Sequence, residues 1–139
     1  MSESRPGHEW IDHTSEVTLR AYASSLPELI GEVTRAFLEL VPEAIRDPER
    51  DVEHELEVEA SDPAAMLVDW INELVFLAEG ECWLPAGPEV EVEEGSRLLV
   101  RCGEVPLSSP FVLVKAATLH NVRVQKTRGG IEAEVTLDI

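Results

Sequence analysis

A short polar segment near the N-terminus, residues 12–16, carries two carboxylates, an imidazole and two hydroxyls. Carboxylate and main-chain oxygens are the ligands that hard cations such as Ca²⁺ and Mg²⁺ prefer. At the other end of the chain stand Asp138 and the last residue, Ile139. If the first and last strands are neighbours, Glu16, Asp138 and an oxygen of Ile139 form a cation site. The alternative is that these carboxylates simply belong to the solvated face of a sheet.

Lys115 and His120 form a second group of candidate functional residues. Lys115 interrupts an apolar run, where a lysine is costly unless its ammonium group reaches water or a partner. His120 follows near a strand end, a place where polar groups often contact partners. Both are candidate partner-binding residues, as is His13 in the first segment. A lysine that extends to solvent and a surface histidine are the alternative interpretation.

Motifs for other kinds of chemistry are missing from the sequence. It has no G-x-S-x-G segment, no glycine-rich phosphate loop and no H-E-x-x-H pattern. Cys82 and Cys102 are far apart and form no metal-binding pair, which predicts buried thiols. His54 lies on an apolar strand face, which favours a half-buried histidine with a partner over a ligand. We therefore predict that the protein is not an enzyme, with a metal-dependent hydrolase as the remaining catalytic alternative.

The charge is strongly negative: 28 acidic against 11 basic residues give a net charge of −17. Such a chain repels phosphate backbones, so direct binding to nucleic acid is not expected, whereas cations and basic proteins are favoured. Solubility is the alternative reason for many of these charges. The sequence shows no apolar run of membrane length and no signal peptide, which predicts a cytoplasmic protein without a membrane partner.

Two helices are predicted from their start signals and apolar stripes. Ser25 can cap the first helix, with Pro27 in its first turn and Glu28 completing a capping box. Asp62 and Pro63 begin the second helix, and Gly80 is expected to end it. Each helix has one apolar stripe, and each therefore needs a sheet to cover.

The strands are predicted from alternating apolar and polar residues. The clearest alternating segments are 16–22, 51–60, 89–93, 97–103 and 131–138. Because the second half lacks helices that could connect parallel strands, the sheet should be mostly antiparallel. We predict a single α+β domain over residues 1–139, with two helices packed on a mostly antiparallel sheet and with residues 1–8 flexible.

Five segments, in the same order along the chain, resemble the archease family. The family forms are H-T-A-D, S-L-E-E-A, L-L-x-D-W-L-N-E-L-L-Y-L, V-K-A-I-T-Y-H-D and a final L-D-I or P-D-I. The matching segments are His13 to Glu16, Ser25 to Leu29, Leu67 to Leu77, Val114 to Asn121 and Leu137 to Ile139. The resemblance covers nearly the whole chain.

This resemblance implies a function. Archeases are non-catalytic, chaperone-like partners of the RNA ligase that joins 2′,3′-cyclic-phosphate and 5′-hydroxyl ends in tRNA splicing and RNA repair. They promote guanylylation and multiple turnover of the ligase. A general chaperone or interaction module with another client is the alternative.

The resemblance also implies a divalent cation, for which we expect calcium, bound by Glu16, Asp138 and Ile139. Glu16 stands where the family has aspartate, and its extra methylene moves the carboxylate further from the main chain. Ca²⁺ tolerates such variation better than Mg²⁺ does. Asp12 is a substitute ligand if Glu16 turns away.

Overall fold

The computed structural model of the chain describes residues 6–13, 15–94 and 96–139, and for residues 13 and 118–121 it describes the main chain alone. In chain order the elements are β1 (Gly7–His13), β2 (Glu16–Ala23), α1 (Leu26–Glu39), β3 (Arg50–Glu59), α2 (Pro63–Phe76), β4 (Trp83–Glu93), β5 (Arg97–Pro106), β6 (Ala116–Thr127) and β7 (Gly130–Asp138). A 3₁₀ turn at Glu43–Ile45 precedes β3, and a π-helical turn at Leu77–Glu81 follows α2.

The strands form two antiparallel sheets, with strand orders β1-β2-β7-β6 and β3-β5-β4. The predicted α+β class and antiparallel pairing are confirmed, but the strands divide between two sheets. In the smaller sheet, only the β4–β5 pairing is local, because a short turn joins these strands, whereas β3 pairs with β5 from a distant part of the chain. The larger sheet depends on a distant pairing, between β2 and β7.

The helices supply the core between these sheets. Helix α1 packs against β2 and β4, and α2 packs against β6. The indole of Trp70 donates to the hydroxyl of Thr34 (2.9 Å), and that hydroxyl donates to the carbonyl of Ile30 (2.7 Å). This chain of hydrogen bonds satisfies the polar groups at the helix interface. No helix in the described part of the chain is long and apolar enough to cross a membrane.

Helix α2 ends at Phe76, before Gly80, where its end was predicted. A π-helical turn then continues through Gly80 to Glu81, and the chain reverses at Cys82, which has a left-handed backbone (φ 60°). Strand β4 then begins at Trp83, earlier than the alternation predicted. Gly87 and the nearby prolines interrupt the alternating pattern in the sequence, so the first half of the strand was not predicted. The ladder is irregular at that point, between Ala86 and Glu89.

The prediction of a flexible start is wrong for Gly7 and His8, which lie in β1 and pair with Tyr22 and Ala21. The remaining described residue of that start, Pro6, precedes the strand. The imidazole of His8 contacts two carboxylates of α1, Glu32 through Nδ1 (2.5 Å) and Glu39 through Nε2 (2.7 Å). This bridge fixes β1 against α1.

The His8 bridge predicts a pH-dependent stability. Burial lowers the pKa of His8, but hydrogen bonds and charge from Glu32 and Glu39 outweigh burial and raise it above 6.5. A raised folded pKa gives stabilisation that is complete below the unfolded value and is lost as pH rises through the folded value. The free energy of unfolding should therefore fall as pH rises from 6.5 into the alkaline range.

Thermal unfolding across this pH range tests the bridge when the wild type is compared with His8→Gln. The stability of the variant should lack the fall with rising pH that His8 gives the wild type, because glutamine does not titrate. Parallel pH profiles for the two proteins would contradict the prediction.

Candidate cation site between the second and last strands

The structure places Glu16 directly opposite Asp138 in the β2–β7 ladder. Residues that face each other across antiparallel strands project from the same side of the sheet, with Cα atoms about 4.5–5.5 Å apart. The two carboxylates therefore extend from adjacent positions, and we call them the carboxylate pair. Like charges placed opposite each other destabilise a sheet, so this arrangement favours a bound cation.

Main-chain hydrogen bonds hold both sides of this position. The N–H of Ile139 donates to the carbonyl of Ser15 (3.1 Å), and the N–H of Lys115 donates to the carbonyl of Asp138 (2.8 Å). Ser15 has a left-handed backbone (φ 67°), a strained conformation for a residue with a side chain. These bonds keep the main chain of Ile139 beside the β1–β2 turn, next to the carboxylate pair.

Two of the three candidate partner-binding residues, His13 and Lys115, have main-chain positions next to the carboxylate pair. His13 pairs with Glu16 on the flank of β2 away from Asp138, so it belongs to the same row across the sheet. Lys115 is exposed beside Asp138. The side chains of His13 and His120 lie outside the described residues, and their proposed roles stay predictions.

Asp12 does not fit the substitute role expected for it. It pairs with Val17, whose side chain is buried in the core. Successive strand residues point to opposite faces, so Asp12 projects from the side of the sheet opposite to Glu16 and Asp138. Its carboxylate therefore belongs to the other face.

Polar side chains pair with each other over the rest of this sheet face. One step along from the carboxylate pair, the hydroxyls of Thr18 and Thr136 are hydrogen-bonded (3.0 Å). One step further, Arg20 bridges Glu9 and Glu134. Among the described ion pairs of this face, none reaches the carboxylate pair.

The chemistry of the donors fits a hard cation. The described residues contain no group of three or more His, Cys, Asp or Glu side chains placed to hold a metal, so the candidate site has only two side-chain ligands. Two carboxylates and main-chain oxygens of Ile139, with water completing the coordination, match the preferences of Ca²⁺. The longer side chain of Glu16 is compatible with the flexible geometry of Ca²⁺ sites.

Asn72 is a positioning residue that the sequence did not reveal. Its side-chain amide donates to the carbonyl of Ala117 and accepts from the N–H of the same residue, both at 3.0 Å. The amide thus acts as a strand neighbour for Ala117, just before the β6–β7 register shifts. The only available signal was the position of Asn72 on the flank of the α2 stripe.

The other candidate groups have structural explanations. The ring of His54 stacks on Trp83 (centroids 3.9 Å apart) and contacts Glu104 through Nε2 (2.8 Å), which confirms a half-buried histidine with partners. Burial raises the pKa of the Cys102 thiol to about 11, so it is a poor nucleophile. The glutamates of β3 are exposed, and Glu57 pairs with Arg97 as expected for a solvated face.

Comparisons with known proteins identify relatives of the chain. Residues 8–139 match the model of the archease protein family. The chain is 36% identical to an archease of Archaeoglobus fulgidus over 95% of this chain and 98% of the relative. It is 30% identical to an archease of Methanosarcina mazei, with 95% of each chain covered.

Solved structures show the same fold. The solution structure of Methanobacterium thermoautotrophicum protein 1598 matches with a TM-score of 0.73 and 25% identity, covering 96% of this chain and 99% of that protein. A Thermotoga maritima archease, described as a possible chaperone, matches with a TM-score of 0.66 and 20% identity, covering 93% and 94% of the two chains. The second likeness supports the fold alone.

Proposed function

The chain belongs to the archease family, and from that premise we propose that it is a cytoplasmic, non-catalytic activator of an RNA ligase. The ligase joins 2′,3′-cyclic-phosphate and 5′-hydroxyl RNA ends in tRNA splicing and RNA repair. The activator promotes guanylylation of the ligase and its multiple turnover. The observation that carries this proposal is the carboxylate pair of Glu16 and Asp138.

Charge supports an action on the ligase rather than on RNA. A net charge of −17 repels the phosphate backbone of RNA. The active site of an RNA ligase must attract that backbone and is therefore basic. An acidic surface centred on the carboxylate pair complements such a site and speeds the encounter of the two proteins.

In this proposal, some residues bind the cation and others position the main chain. Glu16, Asp138 and main-chain oxygens of Ile139 would hold a divalent cation, with calcium preferred. Bound there, the cation would supply positive charge that is complementary to phosphate groups. The bonds from Ile139 to Ser15 and from Lys115 to Asp138 keep the acidic end of the sheet in one conformation, so little ordering is needed on binding.

Multiple-turnover ligation tests the proposal directly. The purified cognate ligase is incubated with excess RNA, GTP and metal, with and without this protein. We expect more than one joined product per ligase molecule only when the protein is present. Equal product in both reactions would contradict the proposal.

A general chaperone is the second candidate, which membership of the archease family leaves open as the alternative. A chaperone would raise the amount of soluble, active ligase without changing the turnover of ligase that is already folded. Measuring the soluble ligase concentration in both reactions separates the two functions.

A further inference from the structure

The smaller sheet has one face toward the core and one toward solvent. On its central strand, β5, Leu98 and Val100 are buried in the core. Side chains alternate between the two faces of a strand, so Arg97, Leu99 and Arg101 project from the outer face. Both arginines are exposed and Leu99 is half-buried.

Two rows of glutamates flank this central row on the outer face. The register places Glu55, Glu57 and Glu59 of β3, and also Glu89, Glu91 and Glu93 of β4, opposite Arg101, Leu99 and Arg97 respectively. Residues that face each other across antiparallel strands project from the same side of a sheet. These nine side chains therefore share one surface, which we call the outer acidic face.

The middle of the outer acidic face is a groove. A cavity of about 450 Å³ is lined by residues of all three strands, among them Glu57 of β3, Leu99 of β5 and Glu91 of β4. This volume is within the range of about 300–1,000 Å³ that ligand-binding pockets occupy. Because β5 is the central strand, Leu99 lies at the floor of the groove and the glutamates form its two walls.

The arginines of this face pair with only some of its glutamates. Arg97 donates to the carboxylate of Glu57 (2.8 and 3.1 Å) and to that of Glu93 (3.3 Å), and Arg101 pairs with Glu55 (3.5 Å). The ion pairs described for this face therefore include three of its six glutamates, and Glu59, Glu89 and Glu91 are the other three. Negative charge exceeds positive charge on both sides of the groove.

The spacing of the carboxylates favours an extended chain as the occupant. Glu89 and Glu91 are two residues apart on β4, which corresponds to about 7 Å. Alternate side chains of an extended peptide have the same spacing, so lysines or arginines at positions i and i+2 match the two glutamates. Their methylene groups would pack on Leu99 while the charged ends stay at the carboxylates. The two walls are two strand spacings apart, about 10 Å, so they do not converge on a single metal ion.

The charge of the chain decides between a basic occupant and others. A net charge of −17 repels the phosphate backbone of a nucleic acid and also repels a second copy of this chain. A basic segment of another protein is attracted, and its charges complement the walls of the groove.

We propose that the groove of the outer acidic face binds an extended basic segment of a partner protein, with lysine or arginine at alternate positions. Glu89 and Glu91 bind two of these charges, and Leu99 contacts their methylene groups. The inference goes beyond the proposed function and does not depend on it, because the groove lies on the smaller sheet and the carboxylate pair on the larger one.

Fluorescence anisotropy with labelled peptides tests the proposal on the full chain at low ionic strength, where exposed charges are least screened. The probe is a ten-residue peptide of lysine and threonine with blocked ends and four lysines, placed at every second position. The control peptide has the same composition with the lysines at every third position, so that successive lysines point to opposite sides. The probe should bind about threefold more tightly, and equal affinities would contradict the proposed extended mode.

A double variant tests the named glutamates. Glu89→Gln, Glu91→Gln should weaken binding of the probe about fivefold, as expected when two exposed ion pairs are lost. Its melting temperature should match that of the wild type, because both side chains are exposed. Glu43→Gln, Glu79→Gln is the matched control, with the same charge change at exposed positions in the turns before β3 and after α2. The control should weaken binding less than about twofold, and equal losses in the two double variants would overturn the proposal.

Competition with spermine, a linear polyamine, examines another class of extended cation. Spermine should displace the labelled probe only at a higher concentration than the unlabelled probe does. Displacement at a lower concentration would assign the groove to polyamines and overturn the proposal of a peptide partner. The assay contains no ligase, so a negative result leaves the proposed function standing.

Discussion

Replacing Asp138 by asparagine should bring multiple-turnover ligation down to the level of the ligase alone. Asparagine keeps the size of the side chain but removes one of the two charges that face each other across β2 and β7. A neutral amide is a weaker ligand for a hard cation and adds no attraction to a basic active site. Because the loss concerns activation itself, a higher concentration of the variant should not restore turnover.

The stability of Asp138→Asn should move in the other direction. Relief of repulsion with Glu16 makes the change neutral or slightly stabilising in the absence of cation. In the wild type, Ca²⁺ at about a hundredfold excess over its dissociation constant should add about 2.7 kcal/mol to the free energy of unfolding, and the variant should lose most of this gain. Thermal unfolding with Ca²⁺ and with a chelator measures both effects.

The control for this experiment is Glu132→Gln, which makes the same charge change on the same face of β7. Glu132 pairs with Tyr22 near the other end of the ladder, six residues from Asp138 and therefore roughly 20 Å away. It should keep full activation. If Asp138→Asn activates as well as this control does, the carboxylate pair has no role in the ligase.

Replacing Asn72 by alanine should give the largest loss of stability predicted here, about 2–4 kcal/mol. The substitution removes the partners of both main-chain polar groups of Ala117, a buried residue, and each unpaired buried group costs about 1–3 kcal/mol. Lys115 directly precedes β6 and donates its N–H to the carbonyl of Asp138. The acidic end of the sheet should therefore also lose order. We therefore expect weaker ligase activation at temperatures where the variant is still folded.

Amide hydrogen exchange gives the most direct readout of this change. The N–H groups of Ala117 and Lys115 should exchange faster in Asn72→Ala than in the wild type, while those in the β4–β5 hairpin should not. Asp69→Ala, an exposed position one turn earlier on α2, is the matched control and should change neither exchange nor stability. Unchanged exchange at Ala117 in Asn72→Ala would contradict the positioning role.

The sequence predicted much of the fold because local patterns carry it. The alternation in 16–22 and 131–138 is sufficient to place Glu16 and Asp138 on polar strand faces. Ser25 and Asp62 identified both helix starts, and each accepts a main-chain hydrogen bond as an N-cap. Glu28 departs from a simple capping box, because its carboxylate accepts from the N–H and the hydroxyl of Ser24 rather than from Ser25.

Local sequence patterns could not predict the features that depend on long-range contacts. The division into two sheets, the π-helical turn before Cys82, the His8 bridge and the double hydrogen bond of Asn72 all depend on contacts between distant segments. Residues 111–114 are a further example, because their apolar composition is typical of a uniformly buried strand. The structure buries Phe111 and Val114 and leaves Val112 and Leu113 between them exposed.

The sequence by itself determined which faces carry the acidic residues, and the family resemblance named Glu16 and Asp138. Only the tertiary structure decided that these two residues stand opposite each other. A shift of the β2–β7 register by two residues would keep every side chain on its face and still separate the carboxylates. The register is set at both ends of the ladder. Ile139 is bonded to Ser15 at one end, and at the other Gly130 approaches Ala23 so closely that a Cβ would lie 2.1 Å from the carbonyl oxygen.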